Sequence, residues 1–175
     1  MTKGMASFVI VAHDSNGEHL TGQRYYRLEF NERDYRDYAR DVPPPYFVGL
    51  PPANAFWSVT LYESRAGDFV MNAIGRFHLN SRTDFPHLYE NDGVENIYNS
   101  DHRQGSGGEE IWPGRSPSSR SATILIQPDP PEDLALLDYW LPSPSEEKDI
   151  FLVLRMYLPT QDSMFYVPPP VESIS

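Results

Sequence analysis

The chain has 175 residues, no cysteine, and 25 acidic against 14 basic residues, for a formal net charge of −11. This length favours one domain, because two halves would each be too small to bury a sufficient core. The lack of cysteine excludes disulfides and thiolate metal ligands, and the excess of acid disfavours nucleic acid or an anionic membrane as partner.

No run of about 18 apolar residues is present, so the sequence predicts no transmembrane helix. The N-terminal segment SFVIVAHD is too short for the apolar core of a signal peptide, and Asp14 interrupts it. We therefore expect a cytoplasmic protein with no membrane partner.

Short runs of alternating apolar residues, bounded by many of the 17 prolines, predict a β-rich domain. The clearest predicted strands are SFVIV, RYYRLEF, AFWSVTLYE, SATILIQPD and DIFLVLRMYLP. The last of these is almost continuously apolar, which predicts a central strand buried on both faces. No strand–helix–strand alternation occurs, so a parallel α/β sheet is not expected.

The remaining segments are less regular. The segment DFVMNAIGRFHLN predicts two short strands that meet at residues 72–75, and MFYVP predicts a last strand. The best helix candidate is PEDLALLDYW, with Leu134, Leu137 and Trp140 facing the sheet. Residues 89–121 are rich in Gly, Ser and charge and predict a long flexible loop. The whole chain, 1–175, is thus expected to be one antiparallel β-sandwich or jelly-roll-like domain with one or two short helices.

The histidines predict no metal centre. No two of them form an HxH, HxxxH or HExxH motif, and a site would need distant segments. They are His13, His19, His78, His87 and His102. No GxSxG elbow or phosphate-binding glycine loop is present, so we expect neither a metal nor an organic cofactor.

Arg155 is a charge on a strand that is otherwise apolar, and it needs a partner. One interpretation is a structural ion pair, for example with Glu63 or Asp138.

The other interpretation is that Arg155, Arg76 and His78 are catalytic or ligand-orienting residues of a pocket. They would orient an anionic or carbonyl-bearing ligand between walls formed by Tyr62 and Tyr157. Two tryptophans are further candidates for pocket walls, Trp112 in the long loop and Trp140 before Leu141-Pro142.

Several blocks occur in an order that resembles the family called domain of unknown function 1214. These are DSNGEHLTGQRYYRLEF, PPANAFWSVTLYE, FVMNAIGRFHLNSRT, ATILIQPDPP, DYWLPSPSEEKDIFLVLRMYLP and FYVPPPVESI. The resemblance implies a β-rich, jelly-roll-like domain and implies no activity. Such domains commonly follow a domain of unknown function 1254. This sequence shows no such companion and has a longer loop at 89–121, so we expect a free-standing copy with an extended loop.

The expected function is binding of a small apolar metabolite in the β domain. Its enzymatic form would be a metal-independent cyclase, isomerase or lyase of secondary metabolism, working by shape and one or two polar groups. The alternatives are a non-catalytic protein-interaction module and, third, a hydrolase. A homo-oligomer is compatible with each of them.

Overall fold

The computed structural model describes residues 6–31, 48–88 and 121–174, and these form a sandwich of two four-stranded sheets. The eight strands within these residues are β1 (Ala6–Val11), β2 (Tyr25–Asn31), β3 (Ala53–Glu63), β4 (His78–Asn80), β5 (Ser121–Gln127), β6 (Trp140–Pro142), β7 (Ile150–Pro159) and β8 (Val171–Ile174). The prediction of an all-β, mostly antiparallel fold is confirmed. The predicted loop at 89–121, with Trp112, lies outside the described residues apart from Ser121.

The first sheet has the strand order β1-β7-β3-β4, and every pair in it is antiparallel. Its centre is the long pair β3 and β7, whose register sets Ser58 opposite Arg155 and Tyr62 opposite Phe151. The register shifts between Ala53 and Phe56. This register decides which side chains of the two strands meet on the outer face.

The second sheet has the order β6-β5-β2-β8, in which β5 and β6 are parallel and the other pairs antiparallel. The core lies between the two sheets. Trp57 of β3 packs 4.7 Å, between ring centroids, from Phe30 of β2 and 5.7 Å from Phe85. Because all three rings are almost fully buried, this aromatic cluster ties one sheet to the other.

The prediction that β7 is buried on both faces is wrong for part of its outer face, where Val153 is buried but its neighbours on that face are not. Leu152, Leu154 and Met156 are buried in the core, as expected of a central strand. Arg155 and Tyr157 alternate with them and are only half-buried. A central position in the sheet buries one face of the strand, and the other face remains open enough to hold a pocket.

The predicted helix is a 3₁₀ helix of six residues, Leu134–Tyr139, in which the Asp133 carboxylate accepts a hydrogen bond from the Ala135 amide at 2.9 Å. Leu134 is 77% exposed, so its expected contact with the sheet is wrong. This short helix leads directly into β6 at Trp140, so it cannot place both Leu134 and Trp140 against the sheet.

The predicted last strand MFYVP is also wrong, because residues Gln161–Phe165 form a 3₁₀ helix and the last strand is β8. Three prolines at 168–170 lack amide donors and keep this region out of a sheet ladder. The Tyr166 hydroxyl also fixes the chain there by donating to the Gly49 carbonyl at 3.0 Å. In the described part of the chain, no helix has the length and apolar character needed to span a membrane.

Candidate functional site

A pocket of about 550 Å³ opens on the outer face of the first sheet, over β7, β3 and β4. Its lining comes from β3, β7, β4, the connection between β3 and β4, and the turn that follows β4: Phe56, Ser58, Thr60, Tyr62, Phe69, His78, Asn80, Arg82, Thr83, Arg155 and Tyr157. The site is therefore on the sheet surface rather than between the two sheets.

The sequence of β3 makes the floor of this pocket. Side chains alternate along a strand, so Trp57 and Val59 point into the core while Ser58 and Thr60 point outward. These two small hydroxyl residues are each 5% exposed. They leave a depression between the larger aromatic residues at either end of the strand.

Aromatic pairs form the two ends of the depression. At one end Phe56 and Tyr157 stack with ring centroids 4.3 Å apart. At the other, Tyr62 stacks on Phe151 at 5.3 Å and on Phe69 at 5.1 Å. Stacking on both neighbours restricts the rotation of the Tyr62 side chain, so this wall of the pocket is preorganised.

Arg155 lies along the floor between these walls. Its Nη1 donates to the Thr60 hydroxyl at 3.1 Å and its Nη2 donates to the Tyr62 hydroxyl at 2.7 Å. Within the described ranges it forms no ion pair, so neither Glu63 nor Asp138 is its partner. Hydroxyl groups satisfy N–H donors but carry no charge, so the guanidinium charge has no counter-ion in the part of the chain that the structure describes.

Two further basic side chains line the pocket, His78 on β4 and Arg82 in the turn after it. Both are exposed, and no carboxylate of residues 6–31, 48–88 or 121–174 lines the pocket with them. Asp84 belongs to the same turn, and its Oδ2 accepts a hydrogen bond from the Asn80 amide at 2.7 Å. The lining thus has a positive character in a chain whose net charge is −11.

Of the site residues predicted from the sequence, Tyr62, His78, Arg155 and Tyr157 all line this one pocket. The pocket residues that the sequence analysis missed include the floor, Ser58 and Thr60, and the amide Asn80 on β4. The signal for the floor was present in AFWSVTLYE, because Ser58 and Thr60 alternate with the core residues of a strand.

Arg76 does not line the pocket. Its Nη1 donates to the backbone carbonyls of Leu137 and Trp140, the latter at 3.0 Å. Trp140 itself is 8% exposed, and its indole nitrogen donates to the Gln127 carbonyl at 2.9 Å. Both side chains therefore join the 134–140 segment to its neighbours, away from His78 and Arg155.

A second depression, of about 360 Å³, lies on another part of the surface, and Trp140 contributes to its lining. Its charges are paired: the Lys148 ammonium is 3.2 Å from Glu146 and 3.5 Å from Glu63. The hydrogen bond and the charge of Glu146 raise the pKa of Lys148.

Among the described residues, no three His, Asp or Glu side chains come together as a potential metal-binding group.

The class of protein is therefore an all-β, two-sheet domain with a pocket on an outer sheet face. The sequence pattern of the family described as "Protein of unknown function (DUF1214)" matches residues 46–113 and 115–161. The chain belongs to this family, which confirms the resemblance. Every residue that lines the outer-face pocket falls within the matched ranges.

A crystal structure of the VPA0106 protein from Vibrio parahaemolyticus, from a structural genomics programme, is similar in fold, with a TM-score of 0.60 and 20% sequence identity. The similarity covers 98% of this chain and 31% of that chain, so this chain spans about a third of that protein's length. No curated protein matches the sequence.

Proposed function

We propose that this domain binds a small, largely apolar molecule that carries one anionic or carbonyl group, in the outer-face pocket. The observation that carries the proposal is the charge of the lining. Among the described residues, Arg155, Arg82 and His78 share the pocket with no carboxylate, although the chain as a whole is strongly acidic. An anionic ligand group would supply the counter-charge that Arg155 lacks among the described residues.

The hydrogen bonds of Arg155 support this role. A guanidinium has five N–H donors, and Arg155 uses one on Nη1 and one on Nη2 for Thr60 and Tyr62. Among the described residues, no group uses the remaining donors, so they are available to a carboxylate or carbonyl oxygen above the floor. Because two hydroxyls already fix the side chain, little conformational entropy is lost when the ligand binds.

The apolar part of the ligand is expected to lie against the aromatic ends of the pocket, Phe56 with Tyr157 and Tyr62 with Phe69. The volume falls within the range of about 300–1,000 Å³ that is usual for small-molecule sites. Flat rings favour a planar or aromatic group, since stacking adds to the free energy gained from burial.

Ligand-observed saturation-transfer NMR tests this with matched probes: cinnamate, cinnamamide and cinnamyl alcohol, followed by longer aromatic carboxylates with their amides. We expect carboxylates to bind more tightly than amides, and the alcohol to bind most weakly. Arg155→Met should abolish the preference for the carboxylate. Arg155→Lys should keep only part of it, because an ammonium cannot replace the planar guanidinium fork. If no carboxylate binds better than its amide, the proposal is wrong.

A second candidate, a metal-independent isomerase or cyclase, is favoured by the position of His78 in the same pocket as Arg155. Imidazole is the side chain best suited to exchange protons near neutral pH. Its test uses aromatic keto-carboxylates, whose C–H bonds next to the ketone are acidic enough to exchange, incubated with the protein in D₂O and compared with the rate without protein. The candidate predicts deuterium incorporation into the ligand, lost in His78→Gln while binding persists. No incorporation by the native protein overturns the catalytic candidate and leaves the binding proposal standing.

A further inference from the structure

Strand β1 is an edge of the first sheet, because within the described ranges it pairs with β7 on one side only. Its sequence, ASFVIV, contains no charged residue and no proline. An edge strand presents a row of backbone N–H and C=O groups that another strand can pair with. Nothing in the six residues of β1 opposes such pairing.

The other three sheet edges carry features that hinder pairing. Strand β4 has three residues, and β6 has three and ends in Pro142. Strand β8 has four residues and includes the charged Glu172. Short length, proline and charge are the usual protection of an edge. Among the described edges, β1 is thus the longest and the least protected.

The outward side chains of β1 are also apolar. Phe8 is 67% exposed and Ile10 is 56% exposed. They lie opposite Arg155 and Val153 of β7, beside the outer face that holds the pocket. Val9, by contrast, packs against the core. Two large exposed apolar side chains on an open edge indicate that this strand has a partner.

We propose that β1 pairs, antiparallel, with β1 of a second copy of this chain, with Val9 on the two-fold axis. This register places Phe8 opposite Ile10 of the second copy and Ile10 opposite its Phe8, which are favourable aromatic–β-branched pairs on the outer face. A contact of this kind is self-complementary, as a two-fold axis requires.

Charge does not oppose a second copy at this strand. Two chains with a net charge of −11 repel each other over most of their surfaces, and β1 carries no charge. Pairing would extend the sheet sideways to eight strands and leave the pocket over β7, β3 and β4 open. The described strands of each copy offer one such edge, so the assembly closes as a dimer.

The test is sedimentation equilibrium of the full chain over a range of concentrations. One strand pair is a small interface, so we expect a concentration-dependent dimer. Ile10→Lys should shift the protein to monomer. It makes the chain less acidic, so general repulsion cannot explain the shift. The matched control, Leu134→Lys, changes the charge equally at a residue that is 77% exposed and far from β1 in sequence, and should remain dimeric.

The register has its own test. In the double variant Phe8→Glu with Ile10→Lys, each glutamate faces a lysine of the other copy, and the dimer should return. In the native protein, amide hydrogen exchange of residues 6–11 should slow as concentration rises. A native chain that stays monomeric overturns the proposal, and is the result expected if another polypeptide covers this edge. A dimeric Ile10→Lys or a monomeric double variant also overturns it.

Discussion

The Arg155 guanidinium contacts the Tyr62 side chain twice: Nη2 donates to its hydroxyl at 2.7 Å, and Cζ lies 5.6 Å from the ring centroid. On β3, the residue directly opposite Arg155 is Ser58, while Tyr62 lies opposite Phe151. Arg155 therefore extends along the sheet surface, over Thr60, and does not stand away from it. The guanidinium therefore lies along the floor of the pocket, although the rest of its strand is mostly apolar.

Replacing Arg155 with Met should change stability little and ligand binding strongly. No buried carboxylate among the described residues would lose its partner, so the cost should stay within about 1–2 kcal/mol, that of two hydrogen bonds to hydroxyls. Carboxylate affinity should fall about ten-fold or more, which corresponds to about 1.4 kcal/mol. Urea unfolding and NMR titration with the tightest carboxylate of the panel measure the two effects.

The control for this change is Arg65→Met, which removes the same charge from an exposed residue that does not line the pocket. It should leave affinity nearly unchanged. A large loss of stability in Arg155→Met with unchanged affinity would show that the arginine is structural.

Arg76→Met should have the opposite profile. Its guanidinium donates to the carbonyls of Leu137 and Trp140, which would both lose this donor. We expect a loss of about 1–3 kcal/mol in the free energy of unfolding, with carboxylate affinity preserved. Arg76→Lys, which keeps the charge, should recover part of the stability. Weaker ligand binding in a fully stable Arg76→Met protein would show that Arg76 contributes to the ligand site.

Arg155 lines the pocket and Arg76 does not, and the sequence alone could not distinguish these two environments. Alternation in β3 and β7 predicted the strands, because a period of two is a local property. The partners of an arginine depend on sheet register and on how the 134–140 segment docks, and neither is local. The sequence therefore predicted both Arg76 and His78 as pocket residues, whereas only His78 lines the pocket.

Gly22→Ala should destabilise the fold through a steric clash. A Cβ on Gly22 would lie 2.6 Å from the Pro144 carbonyl oxygen and 2.7 Å from that of Glu146, both backbone atoms. Relieving this overlap must separate the turn from its neighbour, at a cost of about 1–3 kcal/mol. The adjacent exposed residue provides the control, since Gln23→Ala should stay within about 0.5 kcal/mol of native. Equal stability of the two variants in urea would contradict this close contact.

Tyr166 should make the fold sensitive to alkali. Burial raises the pKa of its hydroxyl well above the ordinary value. In the unfolded chain this group ionises near pH 10, whereas the folded protein keeps it protonated to higher pH. The folded state then binds more protons, so stability is full below about pH 10 and falls as pH rises towards the folded pKa.

Tyr166→Phe removes this titration. At neutral pH the variant should be less stable by about 1 kcal/mol, because the hydrogen bond to the Gly49 carbonyl is lost. That difference should stay constant up to about pH 9 and then shrink, since above pH 10 the native protein loses up to about 1.4 kcal/mol per pH unit through this one group. Urea unfolding of both proteins across this pH range measures the difference, and tyrosinate absorbance reports the ionisation. A difference that does not change with pH would mean that Tyr166 ionises equally in the folded and unfolded chains.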